Sequence, residues 1–327
     1  MMVEDLLTWA RNEVDAICRK FFWAGNDASV KGKCMVSWPI VCKPTTLGGL
    51  GVSDLKLTGY ALQTRWLWLQ KTDADRAWSQ LPIKTAPQVQ AFFRASTFME
   101  IGDGHTALFW EDCLLNGTPL KEVAPCLYQL IPTHTRATLT VRQALTQRQW
   151  VRGISGGMSA DAIVEYLHIW EATDGVRFSS QADKLIWRWT QDGAYSAQSA
   201  YKMLHAGLIK FKGHHLVWKT WAPLKVKFFL WLALRRRHWT GDRRLRHGLE
   251  AREMCYLCDQ EVETIDHIIA SCSYSREVWH RILQVLHRPF PQLASTTFSW
   301  WKHLRAGCND PQQSSMDSLF ALVSWHV

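Results

Sequence analysis

A mainly α-helical fold with a few short strands, α+β in class, is what this sequence predicts. Apolar residues recur at helical spacing in several long segments, while segments that alternate like strands are few and brief. A compact Cys/His array near the C-terminus adds a small lobe closed by a metal ion. With 327 residues and 47% hydrophobic content, the chain can build two or three such bodies with real cores.

Val3, Leu6, Leu7, Ala10, Val14, Ile17 and Phe21 mark an amphipathic helix over 3–22, stopped near Gly25-Asn26-Asp27. Residues 30–42 read as extended, ending at Pro44. Gly48-Gly49-Leu50-Gly51 is a turn; as a phosphate cradle it lacks the Lys-Ser/Thr that would reach phosphate and magnesium. A Leu- and Trp-rich helix follows from Asp54 to Lys71, and another is expected from Pro87. Ile101-Gly102-Asp103-Gly104-His105 is a turn, and Leu108 to Asp112 an aromatic strand. A loop carrying Pro119, Pro125 and Pro132 leads to Thr140–Leu145.

Ser155-Gly156-Gly157 breaks the chain before a helix at 159–170. Asp183 to Trp189 alternates as a strand, Gln191-Asp192-Gly193 turns, and Ser196 or Ser199 starts a helix to about His205. Gly213-His214-His215 reads as loop. Pro223 suits the first turn of an apolar helix running to Leu234. Val278, Trp279, Ile282, Leu283 and Leu286 mark a last helix, ended by Pro289, and 286–327 is left as a tail.

Cys255, Cys258, His267 and Cys272 form a C-x2-C-x8-H-x4-C array. Three thiolates and an imidazole complete a tetrahedral Zn²⁺ shell, leaving no position for water or substrate, so the site reads as structural. The competing reading is four unrelated residues in a Cys- and His-containing chain. Nine cysteines is an odd number, and neither a secretory leader nor an apolar run of membrane length is recognised. Free thiols in a reducing nuclear or cytoplasmic compartment are therefore expected, with no membrane role.

Charge is concentrated. Nine Lys/Arg lie between Lys219 and His247 against one acid, Asp242, while the rest of the chain nearly cancels. Lys225, Lys227, Arg235, Arg236, Arg237, Arg243, Arg244 and Arg246 are the candidate phosphate contacts. Arg235–Arg237 also suit the C-terminal end of a helix dipole. Trp239 and Tyr256 either stack on unpaired bases or pack beside the metal. Arg246 and Arg252 are expected to keep the thiols ionised. Asp103, His105, Glu111 and Asp112 could form an acid/base or Mg²⁺ cluster, but capping and turn roles are preferred.

Gly193 to Tyr201 (GAYSAQSAY), Trp218 to Trp231 (WKTWAPLKVKFFLW) and the array ending in Val278-Trp279 resemble the reverse transcriptase zinc-binding domain of plant LINE-type (non-LTR) retrotransposons. Phe21 to Gly25, Lys31-Gly32-Lys33, Val36-Ser37-Trp38 and Gly48 to Val52 resemble the segment after the polymerase palm in such proteins. Ile101 to Gly104, Phe109-Trp110 and Asp112 resemble its connector. The resemblance implies a plant source, zinc on Cys255, Cys258, His267 and Cys272, and four regions: post-palm helices at 1–72, a connector at 73–190, the zinc-binding domain at 193–285 and a tail at 286–327. The aromatic-x-Asp-Asp signature of the palm is missing, so no polymerase activity is expected. The leading expectation is a non-catalytic module binding RNA or DNA backbone with little sequence preference. A protein-interaction scaffold left by a decayed retrotransposon, with a reverse transcriptase in trans as its partner, is the alternative.

Overall fold

The computed structural model describes residues 7–25, 34–73, 75, 81, 84–115, 117–292 and 294–327. Among them helices dominate, and the paired strands form two antiparallel two-stranded sheets. The chain divides into two compact units. Unit 1 takes Leu55–Ala206 with the residues up to Glu13, and unit 2 takes Val14–Asp54 with Gly207–Val327.

In unit 1, helix Leu55–Thr72 packs against helix Ala197–Met203. The Tyr195 hydroxyl donates to the Ala61 carbonyl, and Trp187 Nε1 donates to Ser199 Oγ at 2.9 Å. Ser196 is the cap of the second helix, accepting from the Ser199 amide. Strand Thr97–Glu100 pairs antiparallel with Lys184–Trp187, so the expected strand near 183–189 finds a partner far upstream, in a register that sets Thr97 opposite Trp187 and Glu100 opposite Lys184. A second core gathers Phe109, Trp110, Leu120, Leu127, Trp150 and Ile169. Helix Ala160–Asp174 starts where Ser159 accepts from the Ala162 amide.

Two expectations change here, and the capping and turn roles preferred for the connector acids hold. Leu108–Asp112 is a buried turn with one bridge, Leu108 to Thr140, and the nearby strand is Cys113–Leu115. The Pro119–Pro132 stretch is not a loop: its prolines sit at the starts of helices Leu120–Val123, Pro125–Gln129 and Thr133–Thr138. Proline lacks the N–H that a first helical turn leaves unbonded, so it opens short helices at no hydrogen-bond cost. The acids of the connector are dispersed into structural roles. Asp103 accepts from the His105 amide, Asp112 pairs with Lys71 and takes the Leu108 amide, and Glu111 pairs with Lys121 and accepts from Tyr128.

The 101–107 loop is organised by one carboxylate. Asp183 Oδ1 accepts from the Gly102 and Gly104 amides, and Oδ2 from the Ala107 amide and from the Thr106 amide and hydroxyl, at 2.8–3.1 Å. Burial alone would raise its pKa. The amide hydrogen bonds outweigh that and hold the carboxyl below its usual range.

Unit 2 is built round helix Leu224–Leu234, whose Val226, Leu230, Trp231, Leu232 and Ala233 are buried. The part of 30–42 that is described is a short helix, Trp38–Val41, rather than a strand; residues 30–33 lie outside the described residues. Pro39 in its first turn favours that choice, and Trp38 and Val41, three apart, share the buried face. Residues 213–215 likewise open a helix, His214–Lys219. The predicted helix at 3–22 is Thr8–Ala24 among the described residues.

The glycine turn has a specific physical reason. Gly48 has φ +89°, and its carbonyl accepts from Trp231 Nε1 at 2.8 Å and from the Arg235 guanidinium at 2.6 Å. A Cβ on Gly49 would stand 1.9 Å from the Lys43 carbonyl oxygen. Residues beyond 290 are more ordered than a tail. They form helices Thr297–Arg305 and Asp310–His326, which bury Trp300, Trp301 and Phe320 in the main core.

Candidate metal centre

The four residues of the array meet in unit 2. One donor atom from each of Cys255, Cys258, His267 and Cys272 lies within 4.8 Å of every other. Cys255, His267 and Cys272 are buried, and all four cysteine and histidine side chains face one point from two backbone devices.

The first device is the knuckle. The Cys255 amide donates to the Glu261 carbonyl and the Asp259 amide to the Cys255 carbonyl, while Met254 bridges Val262. Asp259 takes φ +57°, which lets the chain reverse immediately after the C-x2-C step. The second device is a π-type turn over His267–Ser271. Its Cys272 amide donates to the His267 carbonyl at 2.7 Å, a five-residue span. That wider turn brings the two ends of H-x4-C to one side, which an α-helix would not. Helix Ser273–Val285 follows directly.

The donor set fits zinc. A tetrahedron with Zn–S of about 2.3 Å has edges of about 3.6–3.8 Å. Cys255 Sγ and Cys272 Sγ are 4.0 Å apart, and Cys258 Sγ is 3.3 Å from His267 Nε2. None of the cysteines forms a disulfide. His267 Nδ1 lies 2.9 Å from Glu261 Oε2 and 3.2 Å from Ser271 Oγ. Donation from Nδ1–H to that carboxylate leaves the Nε2 lone pair for a metal. Glu261 was invisible to spacing rules, which pick out ligands and not the groups that orient them.

The thiols are not equivalent. Burial pushes Cys255 up to about 11, with the neighbouring Cys272 adding to the rise against amide bonds from Leu257 and Cys258. At Cys258 burial is outweighed by bonds from the Gln260 and Glu261 amides, His267 and Cys272, which bring it down to about 6. Arg252 and Arg246 do not supply this effect as expected. Arg252 pairs with Asp259 and Arg246 with Asp242, so their charge is spent locally.

The basic run is only partly on the surface. Arg235 is turned inward, onto Gly48 and over the Phe211 ring, where burial lowers it to about 10. Arg243 is buried, donating to the Arg237 carbonyl and lying over Trp239. Lys227, half-buried, donates to the Trp218 carbonyl at 3.1 Å. Lys225, Arg236, Arg237, Arg244 and Arg246 are exposed, with Arg236 paired to Asp266 at 2.6 Å. Trp239 packs on Arg243 and His247, whereas Tyr256 is 68% exposed on the knuckle.

Asp266 joins these parts. Its second oxygen accepts from the amide and hydroxyl of Thr297, at the start of helix Thr297–Arg305. Glu263 accepts from the Gly241 amide, docking helix Gly241–Arg246 against the knuckle. A Cβ at Gly241 would come 2.4 Å from the Arg252 carbonyl oxygen. No helix among the described residues is long and apolar enough to cross a membrane.

The family described as zinc-binding in reverse transcriptase matches residues 195–279. The chain is also 26% identical to an Arabidopsis thaliana protein provisionally named as a ribonuclease H protein, over 96% of this chain. It spans 54% of that relative's length. No solved structure matches. Residues 195–279 therefore match the zinc-binding domain found in reverse transcriptases, and the chain as a whole is similar to that plant protein.

Proposed function

We propose that the chain is a non-catalytic nucleic-acid-binding module whose fold is held by Zn²⁺ on Cys255, Cys258, His267 and Cys272. The observation that carries it is the convergence of these four donors beside a run of exposed cations. When bound, zinc supplies charge neutralisation for closely packed thiolates and cross-links the knuckle to the π-type turn. The chain's own residues do the rest. Glu261 orients the imidazole, Glu263 and Asp266 fix the flanking segments, and Lys225, Arg237 and Arg244 offer positive charge to phosphate, while Arg236 and Arg246 divide theirs with Asp266 and Asp242.

Backbone contacts of this kind carry no base information, so RNA and DNA of any sequence are bound alike. The test is binding of labelled oligonucleotides to the zinc-loaded full chain across a salt series. Arg237→Ala is expected to weaken every sequence by a similar factor and reduce the log–log salt slope by about one. Arg235→Ala is expected to act through stability instead. No binding at low salt sinks the proposal.

The second reading, a protein-interaction scaffold, has its own observation. Helix Ala160–Asp174 exposes Ile163, Val164 and Leu167. Salt-independent behaviour towards nucleic acid, with partner capture abolished by charges at those positions, would decide for it.

A further inference from the structure

We propose that a cleft in unit 2 receives unpaired nucleobases, which makes single-stranded nucleic acid the ligand. This rests on the nucleic-acid reading above and narrows it. The cleft holds about 640 Å³ and lies between helix Leu224–Leu234, the segment His238–Thr240 and the end of helix Asp310–His326. Its aromatic lining is Phe228, Phe229, His238, Trp239 and Trp325, with Lys225 beside them.

Two features distinguish this place from ordinary core. Trp231, Trp279, Trp300 and Trp301 are fully enclosed, whereas Trp325 keeps 38% of its surface exposed. Its ring is held edge-on to Phe229 at 5.4 Å, and Lys225 Nζ stands 5.6 Å from its centroid. Phe229 is in turn 4.4 Å from the His238 ring. Secondly, the hydroxyl of Ser324, which also lines the cleft, is buried without a hydrogen-bond partner among the described residues. A buried polar atom left unbonded is costly, and turning the Ser324 side chain towards a ligand's polar edge would relieve that cost.

A nucleobase supplies what this lining lacks. Its flat faces stack on aromatic rings, its polar edge can bond a hydroxyl, and its phosphate is drawn to a neighbouring lysine. In a duplex both faces of each base are covered and its pairing edge is engaged, so a paired base cannot fill the cleft. The exposed arginines of the same chain segment give the strand a place to continue.

The test compares a labelled pyrimidine-rich single strand with a duplex of equal length, bound to the zinc-loaded full chain at fixed salt. The single strand is expected to bind at least about tenfold tighter, a preference worth one stacked base. Trp325→Ala is expected to lower the single-strand to duplex affinity ratio by roughly 5- to 100-fold. To separate a lost contact from a folding defect, the wild-type chain is also crosslinked to a strand carrying 5-iodouridine. Crosslinks on Trp325, Phe229 or Trp239 support the proposal. Equal affinities with crosslinks confined to the stretches 235–237 and 243–246 overturn it while leaving backbone binding intact. No binding of either form overturns both.

Discussion

Two irregular segments, 101–107 in unit 1 and 254–272 in unit 2, are pinned in opposite ways. The first closes on a carboxylate from its own chain, Asp183, which meets five donors. The second converges four donor groups and supplies no cation among them. A carboxylate surrounded by amides is a finished interaction, whereas four converging soft donors would be completed by an ion. One loop is self-sufficient, and on the proposed reading the other would make folding conditional on zinc.

Breaking the conditional loop is expected to have the largest effect. Chelation or Cys258→Ala should abolish amide protection across 250–285, since structural zinc binding is worth on the order of 10 kcal/mol. Hydrogen exchange read by mass spectrometry checks this. Protection of 102–107 should stay as it was, and parallel loss in both segments would erase the contrast.

Asp183→Asn is the reciprocal break. It leaves the 101–107 amides with a weaker acceptor and should cost on the order of 2 kcal/mol in urea unfolding. Exchange should quicken at 102–107 while 250–285 keeps its zinc.

Glu261→Ala sharpens the comparison at smaller scale. Zinc affinity, measured by competition with a chromophoric chelator, should fall roughly 10- to 100-fold, and Glu261→Gln should recover part of it. Unchanged affinity would reduce the 2.9 Å contact to a surface pairing.

Acid gives the smallest and most specific effect. Asp183 has a folded pKa below its ordinary 3.8, so its stabilisation is complete above that value. It drains as pH falls from about 3.8 through the lower folded value, because protonation then favours the unfolded chain. Urea midpoints between about pH 5 and pH 3 should drop less in Asp183→Asn than in the wild type.

Much of this was legible beforehand, for identifiable reasons. The ligand set showed itself because metal chemistry restricts residue type and spacing together. Helices such as Ala160–Asp174 and Leu224–Leu234 showed themselves through caps and periodic apolar residues. What stayed hidden was relational. Nothing local marks Asp183 as the partner of Gly102, or Glu261 as the orienter of His267. Arg235 and Arg243 looked identical to their neighbours in sequence, and only packing against Phe211 and Trp239 takes them off the surface. The prolines at 119, 125 and 132 were read as breakers, when their positions are those of helix openers. The helices beyond 290 were missed because their apolar residues, among them Trp300, Trp301 and Phe320, follow a Pro- and Ser-rich lead-in.

A single peptide bond separates His267, which faces the sulfurs, from Asp266, which neutralises Arg236 and caps the helix at Thr297. Inserting one residue there would rotate the imidazole or the carboxylate out of place, and no compensating change elsewhere could restore both. The metal centre and the seating of the helix at Thr297 are thus coupled mechanically through one dipeptide.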